Sequence, residues 1–458
     1  MINNIKNVFL ESYGCQMNFS DSEIILSILL KNGYFLTKNI KYADIILINT
    51  CSIRNKAEET IRNKIASLKK YKDKKKQLKI GILGCMAERL KYKLLEEEQL
   101  VDLVVGPDGY RDLPNLLNEV EDGRTAINVI LSKDETYGDI KPIRFLSNGI
   151  NAFVTITRGC DNMCTFCVVP FTRGRERSRS PLSILKECND LVQKGYKEIT
   201  LLGQNVDSYL WFGGGLKKEF HKKTKYQKIK SVNFYNLLIM IAKKFPSIRI
   251  RFSTSNPQDM NIKVFFAMKQ YSNICKHLHL PVQSGSNSIL KKMNRQYTRE
   301  QYIELIKKAK KIIPNISISH DIITGFCGET EKDHLDTLSL MKEVKYDFGY
   351  MFAYSDRPGT IAHKKLKDDV PETIKKRRLQ EIILLQKSIT RQNIKNYLGN
   401  IYEVLIERNS KKNINFWYGR NSQNNIVIFP KTGKENIGDL VKVKINNFKS
   451  FTLIGQKI

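Results

Sequence analysis

Three cysteines packed into eight residues constrain this chain more than any other feature. They stand at 160, 164 and 167 in the run Arg158-Gly159-Cys160-Asp161-Asn162-Met163-Cys164-Thr165-Phe166-Cys167, a C-x3-C-x2-C spacing that follows the apolar stretch 153–157. Three thiolates on one tight loop hold three irons of a [4Fe–4S] cluster. The fourth iron is then open to a substrate or cofactor, whereas a fully ligated cluster only moves electrons. Structural zinc wants a fourth ligand nearby, and the next Cys is Cys188 and the next His is His221. The expectation is a catalytic iron–sulfur site, with zinc and unrelated buried thiols as alternatives.

A chain of 458 residues exceeds one ordinary domain, so about three units are expected. The N-terminal stretch has no apolar signal region, and no apolar run approaches the ~18 residues of a membrane span. A cytoplasmic location is expected, and nine cysteines in a reducing compartment argue for metal ligation or catalysis over disulfides. The net charge of +31 fits a polyanionic partner. Richness in Lys, Ile and Asn, all with A+T-rich codons, offers a compositional origin for much of that charge.

Residues 1–122 alternate short apolar runs with helix-compatible segments, the pattern of a parallel sheet with crossover helices. The runs at 8–10, 44–48 and 79–83 are each followed closely by a cysteine: Cys15, Cys51 and Cys85. Ligands of open α/β sheets gather outside the carboxyl ends of the strands, so these three thiols are expected to meet as a second three-thiolate site, single buried thiols being the alternative. Residues 123–144 read as a linker plus an edge strand. From about 145 to 378 the alternation resumes, with strand candidates at 153–157, 198–202, 248–252, 277–280, 316–323 and 349–354. Six such units suit a partial (β/α)6 barrel, whose chemistry sits on the loops after the strands.

Residues 211–233 break the pattern with Gly213-Gly214-Gly215 and seven lysines against the single acid Glu219. They read as a solvated basic insertion, with contact to a polyanion as the alternative, and the run 69–76 as a solvated helix end or loop. Residues 371–397 are expected to be helical. Short strands separated by turn residues follow Gly399 and describe a small β-barrel. Residues 389–458 hold 12 Lys+Arg and 4 Asp+Glu, with Phe416, Trp417 and Tyr418 beside Arg420. A basic barrel with aromatics is a common RNA-binding device, and an ordinary aromatic core is the plainer reading.

The C-x3-C-x2-C loop resembles that of the radical S-adenosylmethionine superfamily. Tyr13-Gly14-Cys15-Gln16-Met17-Asn18, Asn49-Thr50-Cys51-Ser52-Ile53-Arg54 and Gly84-Cys85-Met86-Ala87-Glu88-Arg89 narrow the resemblance to its methylthiotransferases. Val168-Val169-Pro170-Phe171-Thr172-Arg173-Gly174-Arg175, His279-Leu280-Pro281-Val282-Gln283-Ser284-Gly285-Ser286 and Tyr354-Ser355-Asp356-Arg357-Pro358-Gly359-Thr360 are similar to the branch acting on N6-dimethylallyladenosine in tRNA. One departure is Cys327 in Gly325-Phe326-Cys327-Gly328-Glu329-Thr330, where the family usually has Pro, which stiffens the loop.

The resemblance implies three units: an N-terminal open α/β sheet domain (3–122), a radical S-adenosylmethionine core (145–378) and a TRAM-like RNA-binding barrel (381–450). It implies two [4Fe–4S] clusters, one auxiliary on Cys15, Cys51 and Cys85 and one catalytic on Cys160, Cys164 and Cys167. Two S-adenosylmethionine molecules would serve methylthiolation at carbon 2 of the prenylated adenine at position 37 of the tRNA anticodon stem-loop. An electron donor such as flavodoxin or ferredoxin, and a monomer, complete the picture. Methylthiolation of threonylcarbamoyl-adenosine or of a ribosomal-protein aspartate is the nearest rival. An electron carrier and a zinc-dependent RNA-binding protein are more distant ones.

Among other residues, Gln204 and Asn205 follow a strand end and are candidates to touch cofactor or base. Arg173, Arg175, Arg177 and Arg179, if extended, share one face for phosphates or a cofactor carboxylate. His277, His279, His320 and His334 lack ligand spacing and are expected to be structural. Cys188, Cys275 and Cys327 are expected to be ordinary thiols.

Overall fold

The structure, a computed structural model, describes residues 6–52, 55–145 and 147–458, leaving aside the side chains of 55–57. Ile53 and Arg54 of the second cysteine motif lie outside the described residues.

The chain begins with an all-parallel sheet. Its strands are β1 (Asn7–Ser12), β2 (Phe35–Leu36), β3 (Ile45–Thr50), β4 (Lys79–Gly84), β5 (Leu103–Val105) and β6 (Ala126–Asn128), in the order β2-β1-β3-β4-β5-β6. Helices cover both faces, which is why β3 is buried throughout and reads as a continuous apolar run. Ile45 and Leu47 enter one core and Ile46 and Ile48 the other, as the alternation of a strand requires. β6 is the edge strand expected within 123–144.

A partial barrel follows. Strands Asn151–Thr155, Glu198–Leu202 and Arg249–Phe252 form one parallel sheet, and His277–His279, Ser317–Thr324 and Phe348–Ala353 another. A parallel bridge between Ile250 and Ile274 joins them into a six-stranded wall. The expected (β/α)6 core is therefore present. The basic insertion is tied at its base by an antiparallel pair, Leu210–Trp211 with Val232–Asn233.

Helix Glu372–Ile394 leads into a closed five-stranded barrel that runs from Ile401 to Lys457. Trp417 is buried in its core, while Arg408 stacks 4.1 Å from the Tyr418 ring. This barrel docks where the strands of the core begin. Glu198, the first residue of its strand, takes Arg251 at 2.8 Å and Arg420 at 3.0 Å. Arg249 donates to the carbonyl of Arg420, and the Lys276 amide donates to Ser422.

The first and second units meet along helix α1 (Gln16–Lys31), which starts directly after Cys15. Its N-terminal half carries Asn18, Ser20, Asp21, Ser22 and Glu23, all buried. Buried polar groups need partners, and each has one: Asn18 on the Thr50 carbonyl, Ser20 on Thr155, Ser22 on Asn49, Asp21 on two arginines and Glu23 on Arg144. Across the whole chain, among the described residues, no helix is long and apolar enough to cross a membrane.

Candidate active site

Strands β1, β3 and β4 are neighbours, so their carboxyl ends bring Cys15, Cys51 and Cys85 to one place. Gly14 makes the approach feasible. Its φ is +116°, and a Cβ there would lie 2.3 Å from the Cys51 Cβ. A hydrogen bond from Cys51 lowers Cys15 to about 6, against the effect of burial and with the help of the Arg173 charge. Burial raises Cys85, and the same arginine opposes it.

The second loop follows strand Asn151–Thr155. Gly159, at φ +74°, passes so close to the backbone of Arg175 that a Cβ would sit 2.1 Å from its carbonyl oxygen. The Cys160 amide donates to the Gly174 carbonyl at 3.2 Å, and the Cys167 amide to the Cys164 carbonyl at 3.0 Å. Asn294 donates to the carbonyls of Asn162 and Met163, fixing the loop from outside. Arg295 donates to the Cys164 sulfur at 3.3 Å. Burial and Cys164 push Cys167 up to about 12, and burial and Cys167 raise Cys160.

Both donor sets fit a cluster. Cys85, Cys160 and Cys167, which burial holds back from ionising, become thiolates when a cation shares their charge, and soft thiolates suit iron–sulfur chemistry.

The two loops face each other across the seam. Arg173, six residues after Cys167, donates through Nε to the Cys85 sulfur at 3.2 Å and through Nη2 to Asp21 at 2.7 Å. Beside the loops lies a cavity of about 910 Å³, lined by Glu58, Glu88 and Arg89 of the first unit and by Val168, Phe171 and Arg357 of the second.

Gln204 sits after its strand end as expected, half-buried, with its Oε1 lacking a protein partner. Asn205 binds Asp259 at 2.6 Å, and Asp259 also accepts from Asn162 of the cysteine loop. The four arginines do not share one face. Gly174 turns the chain at φ +71°, and only Arg177–Ser178 forms a strand. Arg173, Arg177 and Arg179 point inward to Asp21, Asp108 and Glu187, while Arg175 is exposed and pairs with Asp161. The histidines take local partners, among them Ser319, Gln386 and Glu381. Cys188, Cys275 and Cys327 are buried thiols. Sequence reading missed Asp21, Arg158 and Arg295. Asp21 and Arg158 lie within two to six residues of a motif cysteine, the one signal that pointed to them.

Residues 7–106 match the Uncharacterized protein family UPF0004, residues 154–341 the Radical SAM superfamily and residues 395–458 the TRAM domain. The tRNA-2-methylthio-N(6)-dimethylallyladenosine synthase of Christiangramia forsetii is 63% identical over 99% of this chain and 94% of its own length. The chain belongs to this family, the radical S-adenosylmethionine methylthiotransferases of the dimethylallyladenosine type. The synthase of Karelsulcia muelleri is 59% identical and is covered over 98% of both chains. Among solved structures, the radical S-adenosylmethionine methyltransferase TsrM from Kitasatospora setae, with cobalamin and a [4Fe–4S] cluster bound, shares the fold. Its TM-score is 0.57 at 12% identity, over 78% of this chain and 74% of that one. The methylthiotransferase family thus accounts for all three units of the chain.

Proposed function

We propose that this chain methylthiolates carbon 2 of N6-dimethylallyladenosine at position 37 of tRNA, with Cys160, Cys164 and Cys167 holding the catalytic [4Fe–4S] cluster and Cys15, Cys51 and Cys85 an auxiliary one. The observation that carries this reading is the contact between Arg173 and Cys85, which sets the two cysteine loops face to face. When bound, the clusters and S-adenosylmethionine supply the radical that removes hydrogen from carbon 2 and the methylthio group that replaces it.

The protein's own residues position and enclose. Arg158, Arg173 and Asp21 lock the loops together. The adjoining cavity has room for a base unstacked from an anticodon loop, which costs little there. Phe171 and Arg357 line it as an apolar face and a cation. Holding the target next to the radical source and away from bulk water favours the intended transfer over side reactions. Gln204 is the proposed side-chain contact to cofactor or base. The charge of +31 and the C-terminal barrel supply sequence-independent attraction to RNA. The remaining parts of the reading are a cytoplasmic monomer served by a flavodoxin or ferredoxin.

Nucleoside mass spectrometry of total tRNA from cells with and without the gene tests it. Loss of the 2-methylthio form with accumulation of N6-dimethylallyladenosine is expected. Loss of the methylthio group from the threonylcarbamoyl nucleoside, or unchanged tRNA, overturns the substrate.

A further inference from the structure

Each cysteine loop receives a guanidinium from outside itself. Arg173 reaches Cys85 at 3.2 Å, and Arg295 reaches Cys164 at 3.3 Å. Both arginines are held in place by other bonds. Arg173 is tied to Asp21, and Arg295 donates to Tyr297, the Asn256 side chain and the Pro281 carbonyl.

The charges around them also match. Near the first loop, Asp21 and Asp108 face Arg158, Arg173 and Arg177, which leaves one net positive charge. At the second loop, the hydrogen-bond partners of Arg295 include no carboxylate. In addition, Nη1 of buried Arg173 has no partner in the protein, although buried N–H groups are nearly always satisfied. A donor remains at the first site for an acceptor that the chain itself does not provide.

We propose that Arg173 and Arg295 are dedicated counter-ions of the two iron–sulfur sites, each raising the reduction potential of its own cluster. The inference rests on the cysteine ligation proposed above. Three thiolates outweigh the charge of an oxidised cubane core and leave an anion in a dry seam. Reduction adds another electron to it. A fixed cation and an N–H donor on a ligand sulfur favour the reduced form, since charge and hydrogen bonding at the sulfurs set such potentials. Asp21 keeps Arg158 when Arg173 is replaced, so the role of Arg173 is separable from its part in the ion-pair network. Both arginines are positioning residues: they act through the cysteines.

The test is a redox titration followed by electron paramagnetic resonance on full-length protein. One background lacks Cys160, Cys164 and Cys167 and keeps the first cluster; the other lacks Cys15, Cys51 and Cys85 and keeps the second. Arg173→Gln is expected to lower the reduced-to-oxidised ratio of the first cluster about tenfold at fixed potential, equivalent to about 59 mV for one electron. Arg295→Gln is expected to do the same at the second, and each to move its own cluster more than the other. Arg173→Lys, which retains the charge, should shift less in the same direction and serves if the glutamine variant takes up no iron. Unchanged potentials, or equal shifts at both clusters from either substitution, overturn the proposal. Cys85→Ala or Cys164→Ala with undiminished iron and sulfide would instead sink the ligation reading beneath it.

Discussion

Asp21 accepts a hydrogen bond from Arg158 at 2.8 Å across the seam between the first two units, and neither side chain is more than 1% exposed. The same carboxylate takes Arg173 through its other oxygen, so one acid joins the helix after Cys15 to the residues on both sides of the Cys160 loop. Removing one member of a buried ion pair strands the charges that remain. Asp21→Ala is therefore expected to cost about 3–5 kcal/mol of stability. Urea unfolding followed by circular dichroism measures it, and a loss below ~1 kcal/mol would mean that water or movement already relieves these charges.

Gly14→Ala and Gly159→Ala are expected to reduce iron content without unfolding the chain. Both positions lie in the left-handed region, and the added Cβ meets Cys51 in one case and the Arg175 carbonyl in the other. Iron and sulfide per chain should fall in each variant, while far-ultraviolet circular dichroism stays that of the parent. Full iron occupancy in both would show that the loops yield more easily than these contacts imply.

Glu88 supplies a pH dependence. It is buried, neither carboxylate oxygen has a hydrogen-bond partner, and burial raises it to about 7 against the charge of Lys91, 3.9 Å from one oxygen. The folded chain keeps its proton where the unfolded chain has lost it. The stability this gives is complete below the unfolded pKa, near 4.3 for an ordinary Glu, and is lost as pH rises through about 7. Glu88→Gln should flatten the fall in unfolding free energy between pH 5 and pH 8, and identical slopes in parent and variant would exclude this assignment.

Glu198 joins the C-terminal barrel to the core, holding Arg251 and Arg420 while buried itself. Glu198→Gln removes the carboxylate that Arg251 pairs with and leaves Arg420 to Glu407 alone. Hydrogen exchange should then rise in strands Ile401–Asn409 and Phe416–Asn421 ahead of the core, because the docking surface opens before the barrel does. Uniform protection would place the anchor elsewhere, for instance at the Lys276–Ser422 bond.

The placement of the six cysteines was legible in the local sequence around each. Cys160, Cys164 and Cys167 share one loop, and Cys15, Cys51 and Cys85 each follow an apolar run that only a strand explains. The layered architecture was legible for the same reason: burial on both faces prints itself as unbroken stretches such as Ile45–Thr50. The partners were not legible. Asp21 sits among Asn18, Ser20, Ser22 and Glu23, a polar stretch that on an isolated helix would face water. It is buried because a second unit packs on it, and no periodicity reports that. Reading Arg173 to Arg179 as an extended row failed at Gly174, whose positive φ turns the chain.

The small C-terminal barrel closes the end of the core where the strands begin, and the cysteines lie where they end. Those strands are three to eight residues long, so the two ends stand roughly 10–26 Å apart at ~3.3 Å per residue. A ligand gripped at both ends has to run along the flank of the core and is gauged for length before its reactive atom enters the cavity. A lone nucleoside cannot span that interval, whereas a stem carrying its loop can. Reach along that wall, set by the distance between its two ends, is what would separate a stem-loop from a small molecule.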